Sequence, residues 1–406
     1  MAEIRFITED EVFDHLSAIR VGFGGEAPAD ADDAVERYRS INRLGTAISA
    51  FDRGHIVATF GSYDLDLSVP GGLVPMAGTT HVTVHPTHRR RGILTEMMDM
   101  HLRQAVEEGK PMATLWASDE RIYGRFGYGP AAWRHRLAIP AGTLAPAPIA
   151  HGLSVHPLTV DEARTVLPPV FDRHLAAVAG SHARTSAWWQ ERHFRDPTEW
   201  RGGASQSRYV VAERDGEPAG YVSFRVREGA DGFHDEGFTE ITELVGPDDD
   251  VRRALWQFVT NVDLFTNVKW WNAPVDEPIG IEIDRYRLLE RALTDSIWVR
   301  LLDVAASLEA RRYDTDGALT IEVGDEGGPA AGRFRIEVDG GKAAVTRTDT
   351  EADVALGVAD LGRLYLGHRC AHQLRRAGLV EATVEATNRL DALLGTATAP
   401  HCIEVF

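Results

Sequence analysis

From Thr80 to His85 two sets of residues alternate, Thr80, Val82 and Val84 against His81, Thr83 and His85. That period of two predicts a half-buried strand, and Pro86 ends it by removing the next ladder donor. From Leu94 the period changes. Leu94, Met97, Met98, Leu102, Ala105 and Val106 recur at helical spacing, which predicts a helix that begins close to Gly92 and stops at Gly109 and Pro111. Met112 to Ala117 predicts a second short strand, with Ser118 as the N-cap of a short helix carrying DERIYGRFGYGPA.

The turn between the first strand and the long helix is strongly basic, Arg89, Arg90 and Arg91, and closes on Gly92. A helix N-terminus offers free backbone N–H groups and the positive end of a dipole, and guanidinium groups add forked donors for phosphate oxygens. Gly92, lacking a side chain, lets a bulky pyrophosphate approach the backbone. The plain alternative is a solvated basic turn before an ordinary amphipathic helix.

Strand, Arg89-x-x-Gly92-x-Leu94 and helix resemble the acetyl-coenzyme A signature of GCN5-related N-acetyltransferases, although Leu94 stands where a small residue is usual. The resemblance implies that the two strands splay, with the pantetheine arm between them. Backbone N–H groups of Val82, Thr83 and Val84 would face the thioester oxygen as an oxyanion hole. It places the rest of acetyl-CoA on Arg90, Arg91, Gly92, Ile93, Leu94, Thr95, Ser118 and Asp119. Tyr123 lies just past the second strand, near the thioester sulfur. A phenol with an ordinary pKa near ~10 is protonated at neutral pH and can hand its proton to the departing thiolate. Phe126 and Tyr128 read as an aromatic packing corner.

The segment IYGRFGYGPA, the segment WVRLLDVAASLEARRY at Trp298 and the ending APHCIEVF together resemble the Eis (enhanced intracellular survival) family. That resemblance implies an α/β fold with mixed α+β sheets: tandem GCN5-related acetyltransferase domains followed by a sterol-carrier-like α/β domain. It implies a homohexamer that acetylates amines, notably those of aminoglycosides, with the tyrosine as general acid and the last residue's carboxylate as general base. Tyr123 and Phe406 match those positions.

A weak internal repeat fits the tandem arrangement. Ile48 to Tyr63 and Tyr209 to Phe224 both read as strand, acidic-glycine turn, strand. The second copy continues through Thr239 to Val245 but then reads Gly246, Pro247, Asp248, Asp249, Asp250 before a helix holding Leu255 and Phe258. Three aspartates would repel a pyrophosphate, so the second domain should be catalytically empty. Pro146, Pro148 and Gly152 mark a boundary near 150, giving domains over 1–150, 151–294 and 295–406. The third should open with a helix starting after Asp295. Strands are expected around Ala318 to Val323, Arg333 to Val338 and up to Arg347, and helices around Leu361 to Leu366, Ala371 to Ala377 and Val384 to Leu394.

At 406 residues the chain suits two or three domains. Its formal net charge of −18 argues against a nucleic-acid partner and suits a polycationic acceptor. The two cysteines, Cys370 and Cys402, give no disulfide framework, and the opening MAEIRFITEDEV has neither a basic region nor an apolar stretch, so the expected location is a reducing cytoplasm. His81, His85 and His88 tempt as metal ligands, but four residues of strand span about 13 Å, and no metal is expected. Cys402 could in principle carry an acyl group but reads as a small buried hydrophobe. Trp188, Trp189, Trp270 and Trp271 read as core or interface anchors. Glu26, Asp30, Asp32 and Asp33 are candidates for holding substrate ammonium groups, as is Glu404, and Glu26 and Glu404 are the expected substrate ligands. The competing functions are protein lysine acetylation and, from a different class, a non-enzymatic lipid carrier or regulator built on the last domain.

Overall fold

The structure, a computed structural model, describes residues 2–144, 148, 150–229, 237–368 and 370–406; Pro146 lies outside them. The chain divides into two compact units. One comprises Met1–Ala132, Ser296–Ala397 and Val405–Phe406, the other Trp133–Asp295 and Thr398–Glu404.

The first unit begins with strands β1 (Glu3–Phe6), β2 (Ile48–Asp52), β3 (His55–Val69), β4 (Gly72–Val84), β5 (Met112–Trp116) and β6 (Gly129–Pro130). The second is built on β7 (Trp133–Pro140), β8 (Leu153–Leu158), β9 (Arg208–Arg214), β10 (Glu217–Arg227), β11 (Phe238–Val245), β12 (Asn267–Pro274) and β13 (Glu290–Asp295). β14 (Ile297–Leu301) returns to the first unit, followed by β15 (Gly317–Gly324), β16 (Gly332–Asp339), β17 (Lys342–Arg347), β18 (Val354–Gly357) and β19 (Val380–Ala382). Three sheets result, in the orders β1-β2-β3-β4-β5-β14-β6, β13-β7-β12-β11-β10-β9-β8 and β17-β16-β15-β18-β19.

Two places differ from the sequence reading. The boundary expected near 150 falls inside the second unit, because β7 is inserted between β12 and β13 and buries Leu137 and Ile139 in that unit's core. Proline and glycine mark a loop there, but the loop joins two strands of one sheet. The segment after Asp295 is a strand before it is a helix. Ile297 to Leu301 is buried throughout and pairs with β5 and β6, and only then does Asp303 cap the helix Val304–Ala310. Gly362 on the later helix Val358–Tyr365 explains the close packing on that strand, since a Cβ there would stand 2.3 Å from the Val299 carbonyl oxygen.

The repeat is visible in the turns. Arg53 and Gly54 join β2 to β3 with φ of 52° and 79°, and Asp215 and Gly216 join β9 to β10 with 52° and 83°. Two consecutive positive φ values are the twisted hairpin turn that glycine at its second position favours. β4 pairs in parallel with β5, as β11 does with β12.

The helix Ile93–Glu107 covers one face of the first sheet with Ile93, Met97, Met98, His101 and Ala105 buried, the spacing of one helical face. Burial drives the His101 imidazole down to about 3 and that of His15 to about 4. Both therefore fold neutral, while the unfolded chain takes up protons below about 6.5. Their contribution to stability is complete above that pH and is lost as pH falls through the folded values. Thermal midpoints should therefore drop between pH 7 and 4. His101→Gln, which can still hydrogen-bond Thr79, should flatten part of that drop; an unchanged slope would contradict the assignment.

Candidate active site

The site begins where two strands part. β4 and β5 pair only over Met76–Thr79 and Met112–Leu115, so β4 runs on from Thr80 to Val84 without β5 beside it. On its other edge the register to β3 slips between Thr59 and Gly61, and the extra residue of this bulge includes His81, whose φ is 57°. A bulge with a non-glycine residue in the left-handed region costs energy, and such features recur beside active sites. The His85 N–H donates to the Val57 carbonyl on β3 at 2.8 Å. Successive amides of a strand face opposite edges, so Thr83 shares the β3 edge, while Val82 and Val84 face the side that β5 has left. The expected set of three donors thus reduces to two. Thr83 contributes its side chain instead, its hydroxyl 2.7 Å from that of Thr59.

Beyond Pro86 the chain turns through Arg90, φ 62°, and Gly92, φ 82°, into the helix Ile93–Glu107. Gly92 is the N-cap and supplies no side-chain acceptor. The Glu96 amide is the first that bonds back into the helix, to the Gly92 carbonyl at 3.0 Å, so the amides of Ile93, Leu94 and Thr95 are the ones a helix leaves for an anion. A cavity of about 720 Å³ lies over them. Val82, Thr83, Val84, Arg89, Arg90, Gly92, Ile93, Leu94, Thr95, Ser118, Asp119 and Tyr123 all line it, together with Gly22, Phe23, His88, Ile122 and Arg125. Arg91 is not among the lining residues: its guanidinium donates to the Thr87 carbonyl at 2.8 Å. Arg89 takes its place, with Nε on the Val84 carbonyl at 3.3 Å.

Asp119, rather than Ser118, caps the short helix Glu120–Tyr123, accepting the Arg121 amide at 3.1 Å. Ser118 is left to hydrogen-bond the Tyr123 hydroxyl. Tyr123 is 3% exposed, its ring edge-on to that of Tyr128. Burial pushes its phenol above the ordinary value, opposed by the Ser118 hydrogen bond and reinforced by the Asp119 charge. A phenol so placed stays protonated and is equipped to give a proton rather than take one. Tyr128 is fully packed, with its hydroxyl on Thr79 at 3.0 Å, and Phe126 is buried near it.

Residues 3–131 match the family description "Acetyltransferase (GNAT) domain", residues 180–301 match a second family of the same description, and residues 304–403 match "Sterol carrier protein domain". An uncharacterized N-acetyltransferase of Streptomyces avermitilis is 35% identical over 411 residues, 97% of this chain and 97% of its own. N-acetyltransferase Eis of Mycobacterium tuberculosis is 32% identical over 345 residues, 81% of this chain and 80% of its own. The crystal structure of Eis1 from Mycobacterium abscessus superposes with a TM-score of 0.84 at 31% identity, with both chains covered in full. The chain belongs to the Eis family of N-acetyltransferases. Two GNAT domains and a sterol-carrier domain make up this Eis-family enzyme, and it is an acetyl-transferring one.

The remaining sequence candidates are scattered. The Phe406 ring, 6% exposed, lies on β4 of the first unit: a Cβ at Gly78 would stand 3.2 Å from its Cε2. Gly78 pairs with Tyr63 of β3, whose hydroxyl is 3.3 Å from His81 Nε2. Glu26 is exposed and does not line the cavity, although Gly22 and Phe23 of the same connection do; its carbonyl holds Arg20 Nε at 2.9 Å. Asp30 is the N-cap of the helix Ala31–Ile41, and Asp32 and Asp33 sit in that helix's first turn, which accounts for their charge. The Glu404 carboxylate belongs to the second unit and is already engaged, by Arg184 Nε at 3.1 Å, Trp188 Nε1 at 2.5 Å and His182 Nε2 at 3.0 Å. All three contacts fall on Oε1, the side chain stays 20% exposed, and Glu404 is not among the residues lining the cavity. His81, His85 and His88 part company: His81 meets Tyr63, His85 meets Thr87, and His88 pairs with Asp52 at 3.0 Å. Cys402 is 1% exposed and Trp188, Trp189 and Trp270 are buried. Gly22 and Phe23 line the cavity but carried no sequence signal, since they reach it only through the packing of the helix Val12–Gly22, and His88, which the sequence offered only as a metal ligand, reaches it through the turn before Arg89.

In the second unit, Asp248 caps the helix Asp249–Thr260, accepting the Val251 amide at 3.0 Å, and pairs with Arg214 at 2.9 Å. Carboxylates therefore occupy the helix N-terminus that a phosphate would need.

Proposed function

We propose that this enzyme transfers the acetyl group of acetyl-CoA to amines of a polycationic acceptor such as an aminoglycoside, by direct attack in a ternary complex. One observation carries the reading: the open β4 edge, the uncapped helix N-terminus with Arg89 and Arg90, and the buried Tyr123 phenol all line a single cavity. Its size is ordinary for a cofactor site. The pyrophosphate would lie on the amides of Ile93 to Thr95 and on Arg90. The Val82 and Val84 N–H groups would polarise the thioester carbonyl.

An ammonium group cannot attack, so a base must first take its proton. We assign that role to the Phe406 carboxylate, acting directly or through water, on the strength of the family resemblance and of a ring buried against the same strand. Tyr123 then protonates the leaving thiolate. Tyr123→Phe keeps the ring and removes only the hydroxyl, so thermal stability and acetyl-CoA affinity should hold while kcat falls by roughly 10²-fold. Unchanged kcat would reduce Tyr123 to a packing role.

A panel of amines with free-thiol detection tests the function itself. Thiol release with kanamycin-type compounds supports the proposal. Release only with lysine-bearing proteins would favour protein acetylation, and release with no amine would overturn it. A homohexameric, cytoplasmic enzyme is the setting implied by the resemblance, and among the described residues no helix is long and apolar enough to cross a membrane.

A further inference from the structure

The two acetyltransferase-like sheets part in the same manner, but what occupies the second parting is the chain's own end. β11 and β12 pair over Phe238–Ile241 and Asn267–Trp270 and then separate. Beyond that point β11 carries Glu243 and β12 carries Asn272. The Asn272 side-chain amide donates to the carbonyls of Cys402 at 3.0 Å and Ile403 at 2.5 Å, and the Asn272 main-chain carbonyl is 2.9 Å from His401 Nε2. From the segment after the helix Val160–Ala177, the Ala179 carbonyl accepts the His401 amide at 2.7 Å. The Ser181 hydroxyl donates to the His401 carbonyl at 2.7 Å and accepts the Ile403 amide at 3.0 Å. His401, Cys402 and Ile403 are all buried.

Glu404 completes the attachment. Arg184, its guanidinium carbon 3.9 Å from the Phe171 ring centre and 4.4 Å from that of Trp189, grips Glu243 with both terminal nitrogens and Glu404 with Nε. Burial opposes ionisation of Glu404, but Arg184 and His182 outweigh it and hold its carboxyl well below the usual range. Nearly every main-chain polar group from His401 to Ile403 is bonded within the second unit.

We propose that the parted edge of β11 and β12 is a receptor groove for the chain's own C-terminal segment, and that Ser181, Arg184 and Asn272 are positioning residues for acetyl transfer through that segment. The inference rests on the terminal carboxylate being the base. Phe406 follows Glu404 by two residues, about 7 Å of extended chain at most, so fixing Glu404 limits where the carboxylate can reach. The groove that in the first sheet is open to a cofactor would in the second be committed to delivering a catalytic group.

The test uses the full chain carrying Glu404→Ala, which leaves the Arg184–Glu243 pair intact. Release of Phe406 by a carboxypeptidase should quicken by about tenfold, the worth of one charge-assisted hydrogen bond. In amine acetylation kcat should fall by a similar factor, with KM for the amine and Kd for acetyl-CoA unchanged. Glu404→Asp should recover part of both. Should the alanine variant fail to fold, Glu404→Gln keeps an acceptor for Trp188 and gives up only the charge, with the same expectation in smaller measure. Unaltered carboxypeptidase release would overturn the groove. Faster release with unaltered kcat, or a raised KM with unaltered kcat, would overturn the positioning role. A wild-type enzyme that acetylates no amine would instead sink the proposed function, and the release rates would still decide the groove.

Discussion

A protein with a few residues appended after Phe406 should fold, bind acetyl-CoA with unaltered affinity and acetylate amines about 10²- to 10⁴-fold more slowly. The extension moves the carboxylate while leaving the Phe406 side chain in the sequence, so it separates the main-chain group from the ring that packs at Gly78. A free α-carboxyl has an ordinary pKa near ~3.5 and is a feeble base, which makes its surroundings part of the claim. Partial desolvation must lift it, and a nearby ammonium must be its proton source. Circular dichroism, calorimetry with acetyl-CoA and steady-state turnover on one preparation decide the matter. Wild-type turnover from a protein whose extension is verified by mass would assign the base elsewhere.

The second large effect concerns the phosphates. Arg89→Glu combined with Arg90→Glu should weaken acetyl-CoA binding by several kcal/mol, at about 2 kcal/mol for each charge-assisted contact, with added repulsion from the new carboxylates. Arg91→Glu alone should do much less, because Arg91 is not among the residues lining the cavity. Titration calorimetry measures both. A loss in Arg91→Glu as large as that in the double variant would mean that the turn rearranges on binding, and no loss in the double variant would remove the pyrophosphate from this site.

How far the sequence could be read depended on the range of the interactions involved. The helix Ile93–Glu107 and the strand ending before Pro86 were legible because periodicity, Gly92 and Pro86 are local signals. The degenerate repeat was legible from the Asp248-Asp249-Asp250 run, whose first member caps its helix. The orientation of Arg91 was not, because three consecutive arginines are alike in sequence and only the left-handed turn at Arg90 decides which ones face the cavity. Nor was the lodging of β7 among strands of the second sheet, since a boundary marked by Pro146, Pro148 and Gly152 says nothing of which strand pairs across it. The surroundings of Glu404 were hidden for a related reason. Its donors, His182, Arg184 and Trp188, lie more than two hundred positions away, so nothing local in the sequence announced that they gather on its Oε1.

Amide hydrogen exchange with and without acetyl-CoA maps the cofactor on this chain without presuming an acceptor. Exchange should slow over Val82 to Thr95 and over Ser118 to Tyr123, with one cofactor per chain, and stay unchanged over Thr239 to Thr260. Exchange unaltered at the first two segments, or slowed at the third, would contradict this placement of the cofactor.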